Sequence, residues 1–506
     1  MGSHANARET VRVGSYEYDV AVVGGGSAGF AAARVLAAGG ARLAVIDGSS
    51  ELGGLCILRG CMPTKALLHA AELRQSIRYA ASWGIAASDV KLDLARLFAR
   101  KDELIAAFAS DRRQQLESGN WDLIRAQARF TDPHTIEFST GGGITAAQVV
   151  IATGSEIAVP PIPGLAETGY LWSDTALRLT QLPESLIVLG GGSVGLEFAQ
   201  FFARLGARVT VVQRSAHVLS QADVDVAREL EAALRSEGIE IFTETQILGC
   251  ALEANQKSVR IQYQGQERNI TADEIFLALG RQPFLAGLNL AAAGVAQNAG
   301  GLIQANARQQ TSAPHIYAAG DCCGPYEIVH LAIQQGEVAA RNILGQAAAM
   351  DDRLLLSVVF TDPAVATVGL TEITAKQAGT AFVRASYPFN DHGKSMILGA
   401  QNGFVKILAA PGTGEILGAA CVGPQAGELI HELMVALAQR MSVAALAALP
   451  HYHPTLAEIW TYPAEELVAV SKVETPVVRM TSDKMTGSIC TDALAPQSPL
   501  ISEGQR

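Results

Sequence analysis

The chain has 506 residues, 49% hydrophobic and 17% charged, with a net charge of -11. That composition excludes a disordered chain and sets aside nucleic acid and anionic membrane surfaces as main partners, and the length suits about three domains. Seven cysteines, an odd number, do not make a secreted disulfide framework, so a cytoplasmic protein is expected.

The opening Met1-Gly-Ser-His resembles a cloning scar, and the residues before Tyr18 are expected to be loose. Tyr18–Val23 reads as a buried parallel strand. It runs into Gly24-Gly-Gly26-Ser-Ala-Gly29 and then an Ala-rich helix ending near Gly39 and Gly40; a second strand over 42–46 ends at Asp47. The apolar run over 20–38 carries Arg34, has a triple glycine near its start and lacks a basic leader, which favours a nucleotide loop over a signal or membrane segment. Strand, glycine loop, helix, strand and acid together form a dinucleotide fingerprint. Gly24, Gly26 and Gly29 allow the tight turn, the close approach of a pyrophosphate and helix packing, and Asp47 is placed to accept from a ribose hydroxyl.

Next come Cys56 and Cys61, with four residues between them, which spacing puts about a turn and a half apart on a distorted helix. No second Cys/His pair lies nearby at ligand spacing, so zinc is a poor reading, and no metal is expected. The pair reads as a redox-active disulfide, with two buried free thiols as the alternative.

The glycine unit then recurs: Ser185–Leu189, Gly190-Gly-Gly192-Ser-Val-Gly195, a helix through Leu205, and Arg208–Val212. Two fingerprints imply two dinucleotides; the alternative is one real site and a degenerate copy kept for packing. The second unit ends in Gln213 and Arg214, without the acid that would hold a free ribose 2′-hydroxyl. Arg214 can pair with a 2′-phosphate, so NADPH is expected over NADH, although Gly195 keeps the third glycine common in NAD sites and a solvated surface arginine is the alternative. Apolar strands ending in glycine, 149–154 and 275–280, mark where the chain leaves the first domain and returns. A strand over 315–321 ends in Gly-Asp and sets Asp321 at the carboxyl edge of a parallel sheet. Beyond 351 the pattern suggests an α+β domain, and from Ser471 a tail rich in Ser, Thr and Pro is expected to be mobile.

These motifs resemble those of the flavoprotein pyridine nucleotide-disulfide oxidoreductases (dihydrolipoamide dehydrogenase, glutathione reductase, mercuric reductase) over 18–467. The resemblance implies an α/β fold of two Rossmann-like dinucleotide-binding domains plus a C-terminal α+β dimerisation domain. The FAD domain would take 18–156 and 281–350, the inserted NAD(P) domain 157–280, the interface domain 351–470 and the tail 471–506. It further implies that Gly24, Gly26, Gly29, Asp47, Gly54, Cys56, Lys65, Ala128, Thr153, Gly154, Asp321 and Val329 hold FAD. Gly190, Gly192, Gly195, Gln213, Arg214 and Gly280 would hold NADP(H) or NAD(H). Cys56 matches the interchange thiol and Cys61 the thiol beside the flavin; Lys65 and Glu197 match an ion pair close to the flavin. His453 and Glu458 match an acid–base pair supplied by the other subunit of a homodimer with shared active sites.

The implied enzyme is an NAD(P)-dependent disulfide oxidoreductase acting on a small disulfide, dithiol or lipoyl group, with dihydrolipoamide as leading candidate. Metal-ion (mercuric) reduction, reduction of another small disulfide, and a docking role in a dehydrogenase complex are the alternatives. Leu55 and residues 57–59 depart from the best-known members, and Ser193 stands where glutathione reductase has a tyrosine lid. Mercuric reductase carries two adjacent cysteines near its C-terminus, whereas this tail has only Cys490. The adjacent Cys322 and Cys323 read as packing residues, with a second redox role as the alternative.

Overall fold

The computed structural model describes residues 16–88 and 90–471. The expected loose leader, the mobile tail and Cys490 lie outside the described residues, except for residues 16 and 17 ahead of the first strand and Ser471 at the end of the last helix.

The first glycine unit builds a mostly parallel sheet. Tyr18–Val23 pairs in parallel with Leu43–Ile46 on one side and Gly143–Ile151 on the other, and Ile316–Ala318 pairs with the last residues of Gly143–Ile151. A hairpin of Ala128–Asp132 and Thr135–Phe138 joins the opposite half of that long strand in antiparallel register. All four residues of Leu43–Ile46 are buried, because a parallel strand covered on both faces needs a continuous apolar run. Helices Ser27–Ala38 and Val329–Ile343 cross closely against this sheet: a Cβ on Gly336 would collide with the carbonyl of Ala28.

The second unit repeats the first. Its sheet runs Glu240–Phe242, Arg208–Val212, Ser185–Leu189, Glu274–Leu277, all parallel. An antiparallel meander, Gln246–Glu253, Gln256–Tyr263 and Gln266–Ala272, packs Val259 and Ile261 against Ile187 and Leu189 of that sheet. A two-stranded ribbon of Ser155–Ile157 and Arg281–Pro283 connects the second unit to the first.

The C-terminal part is a five-stranded antiparallel sheet ordered Leu356–Val359, Ala364–Gly369, Ile416–Gly423, Phe404–Ala409, Val383–Pro388. Helices Ala426–Ala438 and Thr461–Ser471 cover it, and the buried Trp460 donates Nε1–H to the Leu429 carbonyl at 3.1 Å. This sheet is tied to the second unit by charge. Lys406, 1% exposed, meets Asp223 at 2.8 Å, Asp225 at 2.8 Å and Glu372 at 3.1 Å, and Arg204 bridges Glu237 at 2.6 Å and Asp362 at 2.7 Å. The fold is therefore the α/β class with an α+β C-terminal unit that the sequence pattern indicates. Among the described residues no helix is long and apolar enough to cross a membrane.

Candidate active site

The two glycine loops have the same backbone. Gly24 and Gly190 both sit at φ +107°, where a side chain is strained. A Cβ on Gly29 would collide with the Gly24 carbonyl, and one on Gly195 with the Gly190 carbonyl, so helix and strand meet only because both residues are glycine. Each loop is also closed by the residue after its second strand. Asp47 Oδ2 accepts the Gly25 N–H at 2.8 Å, and Gln213 Oε1 accepts the Gly191 N–H at 3.0 Å. Asp47 Oδ1 accepts the Ser49 N–H at 2.9 Å, so the acid shapes its own loop, and only its remaining lone pairs are free for a ribose.

A cleft of about 550 Å³ opens at the first loop. Of the expected FAD contacts, Gly24, Gly26, Asp47, Gly54, Cys56, Ala128, Thr153, Gly154, Asp321 and Val329 line it, together with Cys61. Gly29 is buried behind the loop and Lys65 lies outside this wall. The cleft fits a flavin dinucleotide. The N-terminus of Ser27–Ala38 points its unpaired N–H groups at the site of the pyrophosphate, and Thr153 Oγ1 is buried without a partner among the described residues. Asp321 Oδ2 is held by the Ser155 hydroxyl at 2.6 Å, and Arg281 donates to Ser155 Oγ at 2.8 Å.

The cysteines do not share one distorted helix as expected. Cys56 lies in the short helix Gly54–Leu58, the chain breaks at Arg59 and Gly60, and Cys61 is the first residue of the 19-residue helix Cys61–Tyr79. The break lets the two sulfurs face each other as thiols. Their hydrogen bond is asymmetric. Accepting from Cys56 lowers the Cys61 pKa from its ordinary 9.0 to about 7, with the Lys65 charge assisting while burial and Glu197 oppose. The Cys56 thiol is held well above the ordinary range by donating to Cys61 and by burial. A helix N-terminus is itself a site that favours a thiolate.

One turn along that helix, Lys65 Nζ meets Glu197 Oε2 at 2.8 Å. Glu197 is 3% exposed, and its other oxygen accepts the Phe360 N–H at 3.0 Å. Lys65 Nζ also lies 4.5 Å from the centre of the Phe360 ring. Sequence reading missed Phe360, whose partners are remote in the chain and leave no spacing signal.

At the second loop, Gln213 is pinned between Gly191 and the His217 carbonyl, which it reaches at 3.3 Å, while Arg214 is exposed and makes no ion pair among the described residues. A Cβ on Gly192 would meet no atom within 4 Å, which leaves the backbone there open to a ligand, and Gly280, at φ +109°, accepts the Ala158 N–H at 3.0 Å.

His453 and Glu458 are brought together outside the cysteines' cleft, whose lining includes neither. His453 Nδ1 lies 2.9 Å from Glu458 Oε2; the imidazole is 76% exposed and the carboxylate 11%. Glu458 is carried on a 3₁₀ turn, Ala457–Trp460, which follows a cis His453–Pro454 bond. Beneath Glu458 lies His392, fully buried and absent from the sequence reading because nothing near it in the chain marks it. Cys322 packs in the first unit's core with Cys323 against it.

Residues 18–336 match the pyridine nucleotide-disulphide oxidoreductase family and 355–464 match its dimerisation domain. The chain is 38% identical over 456 residues to dihydrolipoyl dehydrogenase of Thermus scotoductus, covering 89% of this chain and 97% of that one. It is 33% identical to mercuric reductase of Bacillus cereus, covering 88% of this chain and 70% of that one. Among solved structures, LpdA of Mycobacterium tuberculosis superposes with a TM-score of 0.80 at 28% identity, over 88% of this chain and 99% of that one. RclA, a flavoprotein disulfide reductase of Escherichia coli, superposes with a TM-score of 0.78 at 28% identity, over 88% and 99%. The fold and the paired nucleotide loops define a two-dinucleotide flavoenzyme. The chain belongs to the pyridine nucleotide-disulphide oxidoreductase family. It is an FAD-dependent enzyme that transfers electrons between a pyridine nucleotide and a disulfide or dithiol.

Proposed function

We propose that Cys56 and Cys61 are the redox pair of a dihydrolipoamide dehydrogenase-like enzyme. The observation that carries the reading is that both sulfurs line the FAD cleft, with Cys61 at the start of the helix Cys61–Tyr79 and Lys65 one turn on, surroundings that favour a thiolate there. FAD, when bound, passes two electrons between this pair and the pyridine nucleotide. On the substrate side, His453 takes the proton of a substrate thiol, and the resulting thiolate attacks Cys56 Sγ of the oxidised pair. Cys61 leaves as the thiolate its surroundings favour, with Lys65 close by. The second substrate sulfur then displaces Cys56 from the mixed disulfide, and the departing Cys56 sulfur takes up a proton. The substrate is oxidised to its disulfide and the enzyme pair is reduced to thiol and thiolate.

The outward-facing imidazole of His453 supports a homodimer in which each histidine serves the partner's Cys56, with Glu458 orienting the ring and stabilising its protonated form. FAD-binding residues over 18–156 and 281–350, an NAD(P) unit over 157–280 and an interface unit over 351–470 go with this reading. Gln213 supports NADPH as the nucleotide. It makes the loop contact that Asp47 makes in the first unit but brings no negative charge against a 2′-phosphate, and Arg214 beside it is exposed, with no ion pair among the described residues.

The test is stopped-flow separation of the half-reactions. His453→Gln should leave flavin reduction by the nicotinamide unchanged and slow exchange with dihydrolipoamide by about a hundredfold or more. An unchanged dithiol half-reaction would remove His453 from the mechanism, and turnover of mercuric ion by that variant would favour metal-ion reduction instead.

A further inference from the structure

His392 has no exposed surface, and neither has Ser395, whose Oγ lies 2.7 Å from His392 Nδ1. The ring's other nitrogen, Nε2, faces Glu458 Oε1 at 3.4 Å and has no other partner among the described residues. Phe389 and Tyr462 enclose the ring edge-on, with centroids at 6.4 Å and 6.3 Å. Burial lowers the His392 pKa, and Glu458 offsets this only in part, so the ring is neutral and one nitrogen carries the proton.

The surroundings decide which nitrogen. A lone pair on Nε2 would face the carboxylate and repel it. With Nε2 protonated, the N–H dipole points at Glu458 Oε1 and Nδ1 accepts the Ser395 hydroxyl. At 3.4 Å this is a charge–dipole contact rather than a full hydrogen bond.

We infer that His392 is a positioning residue for the acid–base pair: through Nε2–H it anchors Glu458 Oε1, leaving Oε2 aimed at His453 Nδ1. The inference rests on the acid–base role proposed for His453. Glu458 is carried on one short 3₁₀ turn, so without this anchor its carboxylate rotates away from an imidazole that is otherwise mostly exposed.

The experiment is stopped-flow kinetics on the holoenzyme with NADPH and dihydrolipoamide, in the starting enzyme and in a Glu458→Gln background. His392→Leu should slow the dithiol half-reaction by about tenfold, the size of one lost polar contact, and leave flavin reduction by the nicotinamide unchanged. His392→Gln, whose amide still donates from a similar position, should recover most of the rate. Ser395→Ala, which frees the tautomer, should show part of the loss and keeps the test available if the leucine variant does not fold. In Glu458→Gln, His392→Leu should add little, because the anchored carboxylate is already gone. An equal loss in both backgrounds, or no recovery with glutamine, would make His392 a packing residue only. So would an unchanged dithiol rate in His392→Leu while His453→Gln is slow. If His453→Gln is itself as fast as the starting enzyme, the acid–base reading fails, and this inference with it.

Discussion

Replacing Cys56 separates what a hydrogen bond does for Cys61 from what its other neighbours do. The fall of the Cys61 pKa from 9.0 to about 7 has the Cys56 donor as its largest cause, and Lys65 contributes less. At pH 7 that fall raises the thiolate fraction from about one in a hundred to about one half. Cys56→Ser keeps an O–H donor, whereas Cys56→Ala removes it and leaves burial opposed mainly by Lys65. The holoenzyme of each variant is titrated from about pH 5 to about pH 10 while the long-wavelength thiolate-to-flavin band is followed. The band should grow with pH, since only the deprotonated sulfur gives it, and should fade as pH falls through the Cys61 pKa. The serine variant should show its midpoint near 7, and the alanine variant should be displaced towards 9, so that at pH 7 its band is several times weaker. Coincident midpoints would refute the hydrogen bond as the principal cause. A band in Cys61→Ser in place of Cys56→Ser would reverse the assignment of the two sulfurs.

Arg214→Ala should reduce kcat/KM with NADPH by about tenfold or more and leave the NADH value within about twofold; equal or better efficiency with NADH in the unmodified enzyme would remove the premise. Lys406→Met removes the buried cation from three carboxylates, leaving the half-exposed Arg384 beside Asp225 and Glu372, and should cost about 3–5 kcal/mol in denaturant unfolding. Burial pushes the Glu372 pKa up, but contacts with Lys406 and the Arg384 charge more than compensate, so it ends below its ordinary 4.5. A lowered carboxylate pKa gives stability that is full above the unfolded value and is lost as pH falls through the native one, so acid should destabilise the unmodified chain there and the methionine variant less. Gly29→Ala drives a methyl group into the Gly24 carbonyl and should yield protein that is colourless or insoluble, read from the flavin-to-protein absorbance ratio; full flavin content would show that the loop yields.

Both nucleotide loops were legible in the sequence because their requirements are local. The glycine that avoids a clash lies five residues from the carbonyl it would hit, and the flanking strands announce themselves as short apolar runs. His453 and Glu458 are close in the chain, but they were named through the resemblance, since a histidine beside a proline reads on its own as an ordinary loop residue. What stayed hidden is held by contacts between distant segments. Lys65 and Glu197 lie 132 residues apart, and resemblance alone linked them; Phe360, 163 residues from Glu197, carried no signal at all. Lys406 sits in the strand Phe404–Ala409, where a lysine reads as solvent-facing, yet it is buried because Asp223 and Asp225 arrive from the second unit to meet it.

The cysteines fall between these cases. Their spacing suggested proximity, but not that a break at Gly60 would place Cys61 at a helix start with Cys56 in a separate short helix before it. That break gives the two sulfurs different surroundings, and only Cys61 stands at a helix N-terminus one turn from Lys65. Groups that do the chemistry recur as local motifs, whereas the groups that tune them come from wherever the fold can bring a donor or a charge. His392 belongs to the second kind: nothing near it in the chain marks it, and only the folded chain sets its ring beneath Glu458.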